Sequence, residues 1–332
     1  MTVCLSHDVQ ASKLKRQLSS GDFFARAHGV QMPTDGDRFS MEAIVRRVTK
    51  RGIDLVPTSL SDVENWLRCL AALRADSSCP SPSFYRPYHF AMLAAEMRLN
   101  RGSFKLPIDI QKYATRMHLW QAIERTPPTS VGEWNPSGKF IPLTALRDAG
   151  EVDRIATELS EIVDYQSGGE TSLRGVYSAL AELLNNCFDH SESADGHFGL
   201  VCAQAWPRGR MAQVAIVDSG AGIRRTLSAN ASLRRRLASE NACELATQYA
   251  ISGKLGNGHS GYGLTLARDI LRGNSGRLIV LSGFEAFYSG PNQVLSQRLM
   301  HAWPGTVIIF EWRTDKDLSA RAVYDGWPEI ED

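Results

Sequence analysis

The chain has 332 residues, 43% of them apolar, enough for two domains with real cores. Lys and Arg total 37 against 36 Asp and Glu, a net charge of +1, so composition indicates neither nucleic acid nor an anionic membrane surface, and no apolar run approaches the roughly 18–20 residues of a membrane span. Six cysteines, at 4, 69, 79, 187, 202 and 243, form no CxxC pair; they read as reduced, mostly buried thiols of a cytoplasmic protein, and no Cys/His cluster suggests zinc.

Residues 1–40 form an N-terminal extension that is polar and charged, without a signal-peptide core. Lys13, Lys15 and Arg16 read as a solvated cluster, and Phe23-Phe24 as a docking pair. Ile44, Val45 and Val48 suggest a short helix, and Ile53 to Val56 a strand ended by Pro57. Ser61, with Glu64 three residues on, reads as the capping box of a helix whose apolar face is Val63, Trp66, Leu67, Leu70 and Leu73. After the proline loop 77–82, a second helix carries Phe90, Leu93, Ala94 and Met97. Phe104-Lys105-Leu106 is strand-like, and Tyr113, Met117, Leu119 and Trp120 make a third helix face. Residues 41–125 thus read as an α/β domain, and 126–140, rich in Pro, Thr, Ser and Gly, as a linker.

The second half begins at Ile141. Leu146 through Val163 is a helix with Ile155, Leu159, Ile162 and Val163 apolar. A second helix carries an apolar stripe at Leu173, Val176, Tyr177, Leu180, Leu183, Leu184 and Cys187. Phe198 to Ala205 and Val214 to Val217 read as paired strands around the turn Pro207-Arg208-Gly209. A long polar segment runs to Ser260, then Leu264 to Leu271 is a helix, and Leu278 to Leu281 and Val307 to Trp312 are strands. Residues 316–332 are left as a tail.

Four places carry chemistry. Glu182 and Asn186 are i, i+4 neighbours on one helix face. A carboxamide oxygen can bind Mg²⁺ and a carboxylate can polarise a water; the plain alternative is a solvated polar face. Asp218 ends a strand just before Gly220 and Gly222, where glycine permits tight turning and close backbone approach; the alternative is an aspartate in an ordinary turn. Gly261-Tyr262-Gly263 exposes N–H groups where a helix begins, an anion site, or else a common glycine-rich helix start. Gly305-Thr306 precedes the last strand. Gly256 to Gly261 spells GxGxxG, but no strand precedes it and no acid follows at the ribose spacing, so a Rossmann site is set aside. A P-loop is excluded because Gly253-Lys254 is followed by Leu255.

Taken together and in this order, the four motifs resemble the GHKL ATPase superfamily, the Bergerat nucleotide-binding fold, over residues 150–313. Glu182 to Asn186 matches its N box; Asp218, Gly220 and Gly222 its G1 box; Gly261 and Gly263 its G2 box; Gly305-Thr306 its last element. The resemblance implies an α+β two-layer sandwich over 141–315, a mixed, mostly antiparallel sheet with helices on one face, behind an N-terminal α/β domain. It implies ATP and Mg²⁺ as ligands. Asp218 would accept from the adenine 6-amino group, with Thr306 supporting it through a water and Ile223 beside the glycines. Gly261, Gly263 and Leu264 would meet the phosphates, Asn186 would hold Mg²⁺, and Glu182 would be the general base. Asp189 fits the gyrase and MutL style of N box, whereas His190 is similar to the anti-sigma kinases. Residues 224–260 would form a lid, with Lys254 its phosphate contact and the Arg234 run a solvated face.

The tail of the first half, Tyr113 to Met117 after a strand-like segment, is similar to STAS-type segments; a plain α/β domain or an ATPase extension remain the alternatives. Three functions stay open: an ATPase acting as a conformational switch, an anti-sigma-like serine/threonine kinase, and an ATP-sensing module. A regulatory protein partner is expected and a homodimer is left open. Gyrase-type members take a γ-phosphate lysine from a following domain, which the twenty-odd residues after Phe310 do not provide, so turnover is expected to be slow or partner-dependent.

Overall fold

The computed structural model describes residues 55–76, 82, 84–99, 106, 108–132, 138–167, 173–190, 196–253 and 261–327. The chain divides into two units, Met1–Val56 and Pro57–Asp332. Of the first, Leu55 and Val56 alone are described, and neither is in a strand. The expected helix at 44–48, the residues of the expected strands at 53–54 and 104–105, and Lys254 lie outside the described residues.

The second unit is an α+β protein built on an open five-stranded sheet. The strands are β1 (Phe140–Leu146), β2 (Gly199–Trp206), β3 (Met211–Val217), β4 (Arg277–Ser289) and β5 (Val294–Arg313), in spatial order β1-β2-β3-β5-β4. All four pairings are antiparallel, so the sheet among the described residues is not mixed. The helices are α1 (Leu60–Asp76), α2 (Pro87–Leu99), α3 (Ile108–Arg116), α4 (Val152–Ser167), α5 (Leu173–His190), α6 (Ile223–Ser228) and α7 (Gly263–Asn274), with short helical turns between several of them.

Helices cover both faces, which corrects the expectation of one covered face. Successive strand residues point to opposite faces. Val201, Ala203, Val214, Ile216, Ile308 and Phe310 pack with α4, α5 and α7. Leu200, Cys202, Ala215, Val217, Val307 and Ile309 pack with α1, α2 and α3. A strand buried on both sides reads as a continuous apolar run, which is what Val214 to Val217 and Val307 to Phe310 are. The stretch 126–140 therefore does not divide the second unit: the helices before it and the sheet after it share one core. Among the described residues, 57–132 holds helices and no strand.

A buried polar network locks those helices to the sheet. Glu311 on β5 is 1% exposed. Its carboxylate accepts from Thr58 N at 3.0 Å, Arg86 Nη1 at 2.9 Å and Gln213 Nε2 at 2.8 Å. A charge this deep is tolerated because it is paired and hydrogen-bonded.

Local caps set several boundaries. Helix α1 starts two residues earlier than expected: Ser59 N–H donates to Asp62 Oδ2 at 2.8 Å and Asp62 N–H to Ser59 Oγ at 3.1 Å, so the box is Ser59-Asp62 rather than Ser61-Glu64. The third expected helix breaks at His118, which takes φ 57°, and resumes as one turn at Leu119–Ala122. Residues 140–146 are an edge strand, where Pro142 is tolerated. Helix α4 follows Asp148, whose side chain accepts from Gly150 N in a capping box closed by Glu151.

Candidate functional site

Helix α5 sets one wall. Val176, Ala179, Leu180, Leu183, Leu184 and Cys187 are buried against the sheet and neighbouring helices. That stripe leaves Glu182 and Asn186 on the flank, one turn apart, and both line a cleft between α5, the sheet and the segment 222–253. The start of α7 lies directly on the Glu182 turn: a Cβ on Gly263 would come within 2.7 Å of Glu182 Cβ. Glycine is required there by close approach of the two helices.

Sheet residues make the floor. Ile216 and Ile308 line the cleft beside Asp218, which follows β3, as do Leu183 and Cys187 of α5. Asp218 is clasped by backbone: its Oδ1 accepts from Gly220 N at 2.8 Å and Thr306 N at 3.1 Å, and its own N–H donates to Thr306 O at 2.9 Å. Oδ1 takes both backbone bonds, and a carboxylate has about four acceptor positions, so Oδ2 keeps capacity for a ligand donor. Burial raises the Asp218 carboxyl to about 6, against the lowering by those hydrogen bonds. Burial, with the Asp218 charge nearby, holds the Cys187 thiol well above its ordinary range.

The other end is a helix terminus. Gly261, at φ +69°, and Gly263 and Leu264 line the cleft where α7 begins, and Tyr262 supplies no side-chain cap to the first N–H groups. Uncapped amides and the helix dipole favour an anion at this end. No basic side chain is among the described residues that line the cleft.

The segment over the cleft is more ordered than its polar sequence suggested. Helix α6 and the turns after it enclose a small core of Leu227, Leu233, Leu237, Ala242, Leu245 and Ala246. Arg224 anchors it, with Nε and Nη2 on the Glu285 carboxylate at 2.7 and 2.6 Å and a further bond from Nη2 to Glu240 O. Arg236 is engaged by Glu240, while Arg234 and Arg235 are exposed. These arginines serve the segment or face solvent.

Of the residues singled out in the sequence, Glu182, Asn186, Asp218, Gly222, Ile223, Gly261, Gly263, Leu264 and Thr306 line the one cleft. Gly220 lies behind it and donates to Asp218. Asp189, in the last turn of α5, is not among the lining residues. Trp303 and Ser282 carried no sequence signal. Trp303 is 1% exposed and donates from Nε1 to Asp218 O at 3.0 Å. Thr226, Leu227, Ala246, Ile251 and Ser252 also line the cleft and belong to no motif.

Among the described residues, no group of three or more His, Cys, Asp or Glu side chains gathers to hold a metal unaided. The donor chemistry of Asn186 with Glu182 one turn away fits Mg²⁺ of the kind that keeps waters and takes its other ligands from substrate phosphates. No described helix is long and apolar enough to cross a membrane. The chain matches no protein-family model, and no curated protein matches it.

Proposed function

We propose that the cleft binds Mg-ATP in the manner of the GHKL superfamily, on a Bergerat-type arrangement, and that the protein is an ATP hydrolase acting as a conformational switch toward a regulatory protein partner. One observation carries the reading: nine residues from four motifs, spread from Glu182 to Thr306, line a single cleft. Independent glycine-rich turns and a chance Glu/Asn pair would have no reason to meet.

The two ends of the cleft differ in the way a nucleotide requires. At the apolar end, Ile216, Ile308 and Leu183 exclude water from a base, and Asp218 offers an acceptor to a 6-amino group. A buried acceptor of this kind penalises a base that lacks the donor. At the other end, the α7 amides receive phosphates. Glu182 orients the attacking water and takes its proton as the water oxygen bonds the γ-phosphorus and ADP leaves, and Asn186 would hold Mg²⁺ through its amide oxygen. When bound, Mg²⁺ neutralises developing phosphate charge.

The test is incubation with γ-labelled ATP. Free labelled phosphate, reduced about 10²-fold or more in Glu182→Ala, is the expected result. Label on protein without free phosphate would move the assignment to a protein kinase. Tight binding with neither product would make the domain an ATP sensor.

A further inference from the structure

Asp218 is held by two glycine loops, Gly220 to Ile223 on one side and Gly305-Thr306 on the other. Its carboxyl points to one fixed place only while the two loops keep their spacing. A side chain outside every motif joins them. Ser282 lies on β4 opposite Thr306 and is 4% exposed. Its hydroxyl accepts from Ile223 N–H at 2.8 Å and donates to Gly305 C=O at 2.7 Å.

The contacts leave no room for slack. A Cβ on Gly222, which takes φ +75°, would lie 2.8 Å from Ser282 Oγ. A Cβ on Gly305, at φ +101°, would lie 2.6 Å from Asp218 Oδ1. The register of β4 against β5 shifts between Ser282, which pairs with Thr306, and Gly283, which pairs with Trp303, so Pro304 and Gly305 have no partner in the ladder to hold them. The hydrogen bonds close a ring instead, from Asp218 to Thr306, from Gly305 through Ser282 to Ile223, and from Gly220 back to Asp218.

We propose that Ser282 is a positioning residue for base recognition: by bridging Ile223 and Gly305 it fixes the Asp218 carboxyl for a 6-amino donor. This rests on the nucleotide reading above. Ser282 does not line the cleft, so it acts through Asp218. An ordinary buried serine that supported the fold alone would affect every ligand of the cleft equally.

That difference sets the experiment. Affinities for Mg-ATP and Mg-ITP are measured by calorimetry on the full chain, for wild type, Ser282→Ala, Asp218→Asn and the double variant. ITP has an oxygen where ATP has the 6-amino group. Ser282→Ala should weaken ATP about tenfold, the scale of one lost hydrogen bond, and leave ITP unchanged both alone and in the Asp218→Asn background. Equal losses for both nucleotides, or unchanged ATP affinity in folded Ser282→Ala, overturn the proposal while the nucleotide reading stands. Wild type that binds neither nucleotide overturns both. If Ser282→Ala does not fold, amide exchange in the wild type decides: a protected Ile223 N–H supports the bridge, and one exchanging at the rate of an exposed loop refutes it.

Discussion

Replacing Asp218 with Asn should make the ligand-free protein more stable while removing its response to ATP. Burial lifts the carboxyl from 3.8 to about 6. Between those values the native state holds a proton that the unfolded chain has released, so stability falls as pH rises through the window. The cost is fully present above about 6 and absent well below 3.8. At 1.36 kcal/mol per pH unit the gap is worth about 3 kcal/mol, an upper estimate for an isolated site. Asn is nearly the same size, has an oxygen for the Gly220 and Thr306 N–H groups, and carries no charge to bury. Urea unfolding at pH 7.5 should therefore show Asp218→Asn more stable by about 1–3 kcal/mol, with the gain shrinking toward pH 4. Millimolar Mg-ATP should raise the melting temperature of wild type and leave the variant unmoved. A variant less stable at pH 7.5, or a gain independent of pH, would refute the argument that a buried, ligand-seeking charge sits at this position.

Three other outcomes follow from the same geometry. Because the nucleotide amine needs an ionised acceptor, the ratio of wild-type ATP to ITP affinity should be flat above pH 6 and fall about tenfold per unit below it, read by calorimetry across that range. Glu182→Ala should bind Mg-ATP nearly as wild type but lose about 10²-fold or more in single-turnover phosphate release, whereas Asn186→Ala should lose Mg²⁺-dependent affinity as well. Arg86→Met removes the nearer of two guanidiniums from the buried Glu311 carboxylate, Arg277 staying at 3.9 Å, and should cost about 3 kcal/mol in one cooperative urea transition, since the helices of 57–123 and the sheet share a core. Two separated transitions would show the helices folding apart from the sheet.

The residues that line the cleft were more legible in the sequence than the fold around them. Glycines at 222, 261, 263 and 305 are visible because close approach or positive φ admits little else there, as the clash of a Gly305 Cβ with Asp218 shows. The stripe of α5 is visible because one face is buried and the other carries Glu182 and Asn186. What escaped notice depends on partners distant in sequence. Strand β5 runs 20 residues, but its first half, with Ser296, Gln297 and Arg298, has no apolar run to mark it. Strand β3 begins at Met211 rather than Val214 because Gln213 is buried through its bond to Glu311, 98 residues away. The 223–253 segment looks polar because its small core needs one apolar residue in every few. Helices on the second sheet face were missed because the composition of 126–140 suggests a boundary that the packing of α1 and α2 does not respect.

The central claim is that the cleft is a Mg-ATP site, and calorimetric titration of Mg-ATP into the wild-type chain tests it most directly. One-to-one binding that requires Mg²⁺, survives in Glu182→Ala and disappears in Asp218→Asn is the predicted result. Folded protein that gives no binding heat at millimolar Mg-ATP, at several temperatures so that a vanishing enthalpy cannot hide it, would contradict the account.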